Sequence, residues 1–372
     1  MLRLFLLAAA GFILLPLGGC LGGKSELNGS DGGDGSGGGV GVPIGPDDDA
    51  EVDRTACGGA LTSVPERVAT EVSADWLYAS GTHAFWADQE TGRVQEVDLC
   101  TGEIRVVAQF EFLTDLAQDG ATLLATGTKD GVVGAFRYDN LRDEVVLLSE
   151  LRRSGQVAAA NGRVFVLLEQ DTADPESPYG EPHFDLLEVL PDGPVLLHVV
   201  EARAPMTSTS LVGASAAGVY VRQDFDCGCN AGLTLYPSDG TDSKGITDSA
   251  GSRSIAVQGD RMFLASDLDP QGFGESVVDI VSVPIEDGES KVLFGRDEAL
   301  TRDVYQIAAD ERSVCIKPIR TAPRCIDQTS GELRSLSAES NTDSSSLIAM
   351  GDGVVAWVSR TETTAELWAA VP

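Results

Sequence analysis

Three kinds of side chain in this sequence have chemistry to offer: cysteine thiols, histidine imidazoles and a large excess of carboxylates. The carboxylates gather in three segments that interrupt the apolar pattern. Glu169, Asp171, Asp174, Glu176 and Glu181 lie between Glu169 and Phe184. Asp224 and Asp226 lie between Asp224 and Ala231, and Asp267 and Asp269 between Asp267 and Glu275. Paired carboxylates can divide acid and base roles when their surroundings differ, or attract a cationic partner. In a chain with 58 acidic against 26 basic residues, a pair by itself selects neither. The plainer alternative is that these acids keep the loops soluble. Asp267-Leu268-Asp269 offers hard oxygen ligands of the kind calcium takes, but without the spacing of a known calcium loop, and no other cofactor is indicated. His83, His183 and His198 are scattered, none with a companion at metal-ligand spacing. No Gly-x-Ser-x-Gly elbow and no phosphate-binding glycine loop with its lysine occurs. Tyr179 and Phe273 could touch sugar or peptide. Trp76, Trp86, Trp357 and Trp368 sit in apolar runs and read as core.

The chain opens Met1-Leu2-Arg3 and then runs apolar from Leu4 to Leu15. That run falls short of the roughly 20 residues a membrane-spanning helix needs. A basic start, a short apolar core and small residues before a cut mark a secretory signal. The cut region reads Leu17-Gly18-Gly19-Cys20. It resembles the lipobox of bacterial lipoproteins, although Gly18 stands where Ala or Ser is commoner. The resemblance implies acyl chains, palmitate among them, on Cys20 and loss of residues 1–19. Several chains would anchor the protein stably where one binds only reversibly. Leu21 is not Asp, so the enterobacterial inner-membrane retention signal is missing, and the resemblance then implies the outer membrane of a Gram-negative bacterium. An ordinary secretory signal with an incidental cysteine is the alternative.

From Leu21 to about Val52 the sequence is mostly Gly, Ser and Asp, as in Ser30-Asp31-Gly32-Gly33-Asp34-Gly35. Such a stretch buries too little to offset the entropy of ordering. Residues 20–54 therefore read as a lipidated cysteine followed by a tether. Its ~30 residues reach roughly 30 Å. Asp47-Asp48-Asp49 is a solvated charge run in preference to a calcium site. The formal net charge of −32 excludes nucleic acid as a partner, because that affinity rests on neutralising phosphates. Anionic lipid is repelled too, so the acyl chains must supply the membrane contact.

Six cysteines remain beside Cys20, an even number that suggests disulfides in an exported chain. Cys315 and Cys325 flank a turn with Lys317-Pro318 and Ala322-Pro323, which predicts a bridge across a hairpin. Cys227 and Cys229 enclose Gly228, which can bend sharply enough for a tight bridge; a thiolate metal site is the alternative there. Cys57 and Cys100 are left for each other.

Residues 55–372 must position these groups, and they carry an internal repeat. An apolar pair ending in a small residue, a tight turn and a second apolar strand recur seven times, roughly forty residues apart. The first strands are Leu77-Tyr78-Ala79, Leu116-Ala117-Gln118, Val157-Ala158-Ala159, Val212-Gly213-Ala214, Ile255-Ala256-Val257, Ile307-Ala308-Ala309 and Leu347-Ile348-Ala349. Further strand pairs follow, as in Arg93–Leu99 and Ile104–Val107 around Thr101-Gly102. Short strands with Gly and Asp turns, and almost no helical period, indicate an all-β fold. Seven units of four strands resemble a β-propeller, with no Trp-Asp or kelch signature to name a subfamily. The resemblance extends to divergent repeat lipoproteins of Gram-negative bacteria. The last unit ends on its third strand, Leu367–Val371, so the segment Leu61–Thr70 is expected to supply the fourth and close the ring. An irregular β-sandwich or solenoid is the competing architecture.

In a propeller the connections between second and third strands share a face with the segments that join blades, and long loops on a rigid scaffold commonly bind. The acidic segments are therefore expected on one face. The functional expectation is a monomeric, lipid-anchored envelope protein that binds or scaffolds a protein, peptide or other ligand, with basic or cationic partners favoured. An envelope hydrolase or lyase with carboxylates on the same face is the alternative.

Overall fold

The computed structural model describes residues 61, 64–139, 142–170, 183–201, 206–225, 231–250, 255–266, 279–285, 290–295, 304–318, 321–336, 347–360 and 364–372. All belong to one unit, Asp49–Pro372. It is an all-β ring of seven four-stranded antiparallel sheets, a β-propeller.

A first strand, β1 (Glu66–Thr70), precedes the blades. Blade 1 is β2 (Trp76–Ser80), β3 (His83–Asp88), β4 (Arg93–Asp98) and β5 (Ile104–Gln109). Blade 2 is β6 (Phe112–Asp119), β7 (Thr122–Lys129), β8 (Val132–Asp139) and β9 (Glu144–Glu150). Blade 3 is β10 (Gln156–Ala160), β11 (Arg163–Glu169), β12 (His183–Leu190) and β13 (Gly193–Glu201). Blade 4 is β14 (Met206–Ala214), β15 (Gly218–Phe225), β16 (Ala231–Pro237) and β17 (Lys244–Ala250). Blade 5 is β18 (Ile255–Gln258), β19 (Arg261–Ser266), β20 (Asp279–Pro284) and β21 (Lys291–Phe294). Blade 6 is β22 (Val304–Ala309), β23 (Ser313–Pro318), β24 (Arg324–Asp327) and β25 (Leu333–Ser335). Blade 7 is β26 (Ile348–Gly351), β27 (Val354–Arg360) and β28 (Ala365–Ala370), completed by β1.

The chain ends close the ring as the repeat predicts. Strand β1 pairs antiparallel with β28, Thr70 opposite Glu366 and Arg67 opposite Trp368. Arg67 adds an ion pair to Glu366 at 2.9 Å. Without β1, the third strand of blade 7 would present an open edge.

Burial explains why the second strands are nearly unbroken apolar runs. Each blade packs between two neighbours, so both faces of its inner strands are covered. Residues Val354 to Ser359 of β27 are all buried, as are Val164 to Leu168 of β11. The outer strands are wet: Ile104 and Val106 of β5 are exposed. The apolar interior is therefore divided into seven clusters, one at each blade junction. Trp86 and Trp357 are core residues as expected, whereas Trp76 and Trp368 are half-buried.

The turns follow from residue type. Gly81, Gly120, Gly162, Gly259 and Gly353 take positive φ in the first hairpin of their blades, where a glycine meets no steric penalty. Inner strands also approach one another closely. A Cβ on Gly351 would lie 2.1 Å from the carbonyl oxygen of Ala79 in blade 1, so only glycine fits there.

Cys315 and Cys325 face each other across β23 and β24 and form the expected hairpin disulfide, with Cα atoms 4.0 Å apart. Cys100 is also disulfide-bonded. Its expected partner Cys57 lies outside the described residues, as do Cys227, Cys229 and Cys20.

Candidate functional site

The strand order places the three acidic segments in corresponding positions. They join β11 to β12, β15 to β16 and β19 to β20, which are the second and third strands of blades 3, 4 and 5. The strand ends that flank them point to the face from which the fourth strand of each blade leads to the next. The three blades are consecutive in the ring, so the described strand ends that flank the segments are neighbours.

Only the roots of these segments are described. Asp171, Asp174, Glu176, Glu181, Asp226, Asp267 and Asp269 lie outside the described residues, with Tyr179 and Phe273. Glu169 ends β11 and is exposed. Asp224, expected in a loop, is instead a strand residue of β15. Its carboxylate accepts from Arg222 Nε at 2.8 Å and from Ser208 Oγ at 2.7 Å, so its charge is offset locally. The strand period simply continues two residues beyond the Gln223 at which the turn was expected. His183, expected in the first insertion, is likewise the opening residue of β12, opposite Glu201.

Other charges on this face are also paired. Asp185 of β12 accepts from Arg152, in the segment joining blades 2 and 3, and from Gln170 at 2.6 Å. Lys129 and Asp130 pair at 2.6 Å. These described acids of the rim, Asp224, Asp185 and Asp130, are thus each matched by a base.

The histidines do not converge. His83 Nε2 stands 3.7 Å from Glu96 in blade 1, while His198 Nε2 lies 2.8 Å from the Pro237 carbonyl oxygen and its ring packs edge-on against Tyr236. Among the described residues no three His, Cys, Asp or Glu side chains assemble a metal site.

The structure brings together residues that the sequence reading passed over. Inner strands leave main-chain donors facing the channel, and buried donors need partners. Side chains of the preceding blade supply them. Asp115 accepts from Val157 N at 2.9 Å, Gln156 from Leu211 N, and Gln306 from Ile348 N at 2.7 Å. A second set works at the first hairpin turns on the opposite face. Asp119 accepts from Asn161 N and Gly162 N of blade 3, Asp310 from Gly353 N of blade 7, and Asp352 from Ser80 Oγ of blade 1. Each acceptor sits at a set place in the repeat. Asp115, Gln156 and Gln306 each stand on an inner strand directly before its apolar pair, Leu116-Ala117, Val157-Ala158 and Ile307-Ala308, a regularity visible once the repeats are aligned.

Two of the buried groups are electrostatically perturbed. Burial pushes the Asp115 carboxyl up to about 6, against the opposing pull of N–H bonds from Val157, Leu116 and Trp76. Burial pulls the Lys317 ammonium down to about 8. That ammonium is wholly buried and donates to the carbonyl oxygens of Thr321 at 2.6 Å and Pro318 at 3.1 Å.

No protein-family model matches the chain, nor does any curated relative. Solved structures do resemble it. An oligogalacturonate lyase from Vibrio parahaemolyticus aligns at 10% identity with a TM-score of 0.57, over 83% of this chain and 93% of the lyase. An oligogalacturonate lyase in complex with manganese aligns at 12% identity and 0.56, over the same shares. An acylaminoacyl peptidase aligns at 11% identity and 0.55, over 80% of this chain and 51% of the peptidase. The chain thus spans about half the length of the peptidase. At such identities the shared property is the propeller fold.

Proposed function

We propose that this protein is a binding or scaffold module of the bacterial cell envelope, held at the outer membrane by acyl chains on Cys20. It engages a basic protein or peptide through the acidic segments of blades 3, 4 and 5. One observation supports this reading: the described strands that flank the three segments are the second and third strands of three consecutive blades. A ring stitched by main-chain and side-chain bonds between neighbours is a rigid platform for such loops. The tether lets the platform reach a partner while the lipid holds its base. Opposite charge would steer a basic partner toward this face, with strong salt dependence.

The test uses the lipidated protein and a variant neutralising Asp171, Asp174, Glu176, Asp226, Asp267 and Asp269, with Asp224 left in its pair with Arg222. Cross-linking in cells should recover a defined envelope partner with the parent. Recovery should fall at least tenfold with the variant, and binding of the purified partner should weaken as salt rises. An unchanged yield would remove the acidic face from the function. Labelled palmitate should be incorporated by the parent and not by Cys20→Ser.

A second reading, a hydrolase or lyase, draws on the fold likeness to peptidases and to a lyase that this chain nearly matches in length. Turnover of oligogalacturonate or N-acyl peptides by the purified protein, lost with the neutralised segments, would favour it over binding alone.

A further inference from the structure

The seven junctions are not alike. Inner strands pack directly on one another from β6 to β10, β10 to β14, β14 to β18, β18 to β22, β22 to β26 and β26 to β2. Between β2 and β6 that backbone approach is sparse, and long side chains span the interval instead. Trp76 Nε1 donates to Asp115 Oδ1 at 3.0 Å, Tyr78 OH to the Leu116 carbonyl oxygen at 2.5 Å, and Gln118 Nε2 back to the Ala79 carbonyl oxygen at 2.9 Å. Behind them the wedge is filled by aromatic rings, Phe85, Phe110, Phe136 and Tyr138. The outer margin is tied differently. Arg105 bridges Glu96 of its own blade and Asp143 of blade 2, the latter at 2.7 Å, and β5 lies against β9. The junction is thus pinned at its outer margin and latched by three side-chain bonds at the channel.

Asp115 is the centre of that latch. The residue is half-buried, yet both carboxylate oxygens are enclosed by donors: Trp76 of blade 1, Leu116 of its own strand and Val157 of blade 3. The neighbouring β7 faces it with Thr126, and β10 with Gln156 and Val157, none of which titrates. From β2 the titratable neighbour is Tyr78, whose proton burial holds in place.

We propose that the ring parts reversibly on its channel side between blades 1 and 2, with the charge on Asp115 setting the balance between latched and parted forms. Parting lets water reach the carboxylate, and water favours the charged form. The latched form therefore holds the proton more tightly than the parted form does. Raising the pH drives the equilibrium toward the parted form, and lowering it toward the latched one. With the latched carboxyl near 6 and a parted one near its ordinary value, the parted population should rise roughly tenfold between pH 5 and pH 8.

Amide hydrogen exchange on the whole chain tests this, with rates corrected for intrinsic pH dependence. Protection of Leu77–Ser80 and Leu116–Asp119 should fall roughly tenfold from pH 5 to pH 8. That of Ile307–Ala309 and Ile348–Met350, on directly packed inner strands, should not follow. Asp115→Asn should flatten the pH dependence. Trp76→Phe, which keeps the ring and loses one latch bond, should raise exchange in both strands at every pH while retaining its slope. Equal protection and equal pH dependence in all four segments, or an unchanged slope in Asp115→Asn, would overturn the proposal.

Discussion

At the scale of single residues, buried polar groups mark where this fold spends stability on geometry. Asp310 is buried and accepts from Arg312 N and Ser313 N of its own turn as well as from Gly353 N of the next blade. Removing one carboxylate would orphan all three donors. Lys317 is the converse case, a cation held by two carbonyl dipoles. Its ammonium titrates near 8 in the folded chain and near 10.5 when unfolded. Below 8 both states hold the proton and the burial penalty is fully present. Between 8 and 10.5 the folded state has released a proton that the unfolded state keeps, so stability should rise with pH. The gain is at most about 3 kcal/mol. Urea unfolding at pH 7.5, 9 and 10 should show this rise in the parent relative to Lys317→Met. A constant difference between the two proteins would show that Lys317 titrates as an ordinary lysine.

At the scale of strands, what matters is who covers whom. A middle strand such as β27 is buried on both faces and needs no alternation, while the edge strand β5 shows exposed Ile104 and Val106. The closing strand β1 is short but covers β28 with four register pairs and buries Ala69. Deleting residues 61–70 should cost about 2–5 kcal/mol, from the lost ladder bonds and the uncovered face. The exposed β28 edge should then pair between molecules. Chemical unfolding should register the first effect, and concentration-dependent sedimentation the second. An unaltered unfolding midpoint would mean that the ring does not depend on β1.

At the scale of the molecule, a net charge of −32 works against compactness. Among the described residues several bases already pair with an acid, Arg105, Arg152, Arg163 and Arg222 among them. The surplus of negative charge is therefore left to mutual repulsion. Raising sodium chloride from 10 mM to 300 mM shrinks the screening length from roughly 30 Å to under 10 Å. It should raise the melting temperature by a few degrees, equivalent to roughly 1–2 kcal/mol. A melting temperature indifferent to salt would mean that the surplus charge is dispersed enough to do no harm.

The sequence by itself determined the repeat, and with it the all-β class, the seven blades and the borrowed strand that closes them. Those features follow from local periods and turn residues, which any stretch of chain displays without its neighbours. The hairpin disulfide was legible for the same reason, since Cys315 and Cys325 lie within one strand–turn–strand unit. The interblade acceptors Asp115, Gln156 and Gln306 were not, because their partners lie about forty to fifty-five residues away. In the sequence they are merely polar residues before an apolar run. The pairing of Asp224 with Arg222, the burial of Lys317 and the side-chain latch between blades 1 and 2 were decided only in the tertiary structure. Each depends on how far one packed face stands from another, a distance that only the closed ring sets.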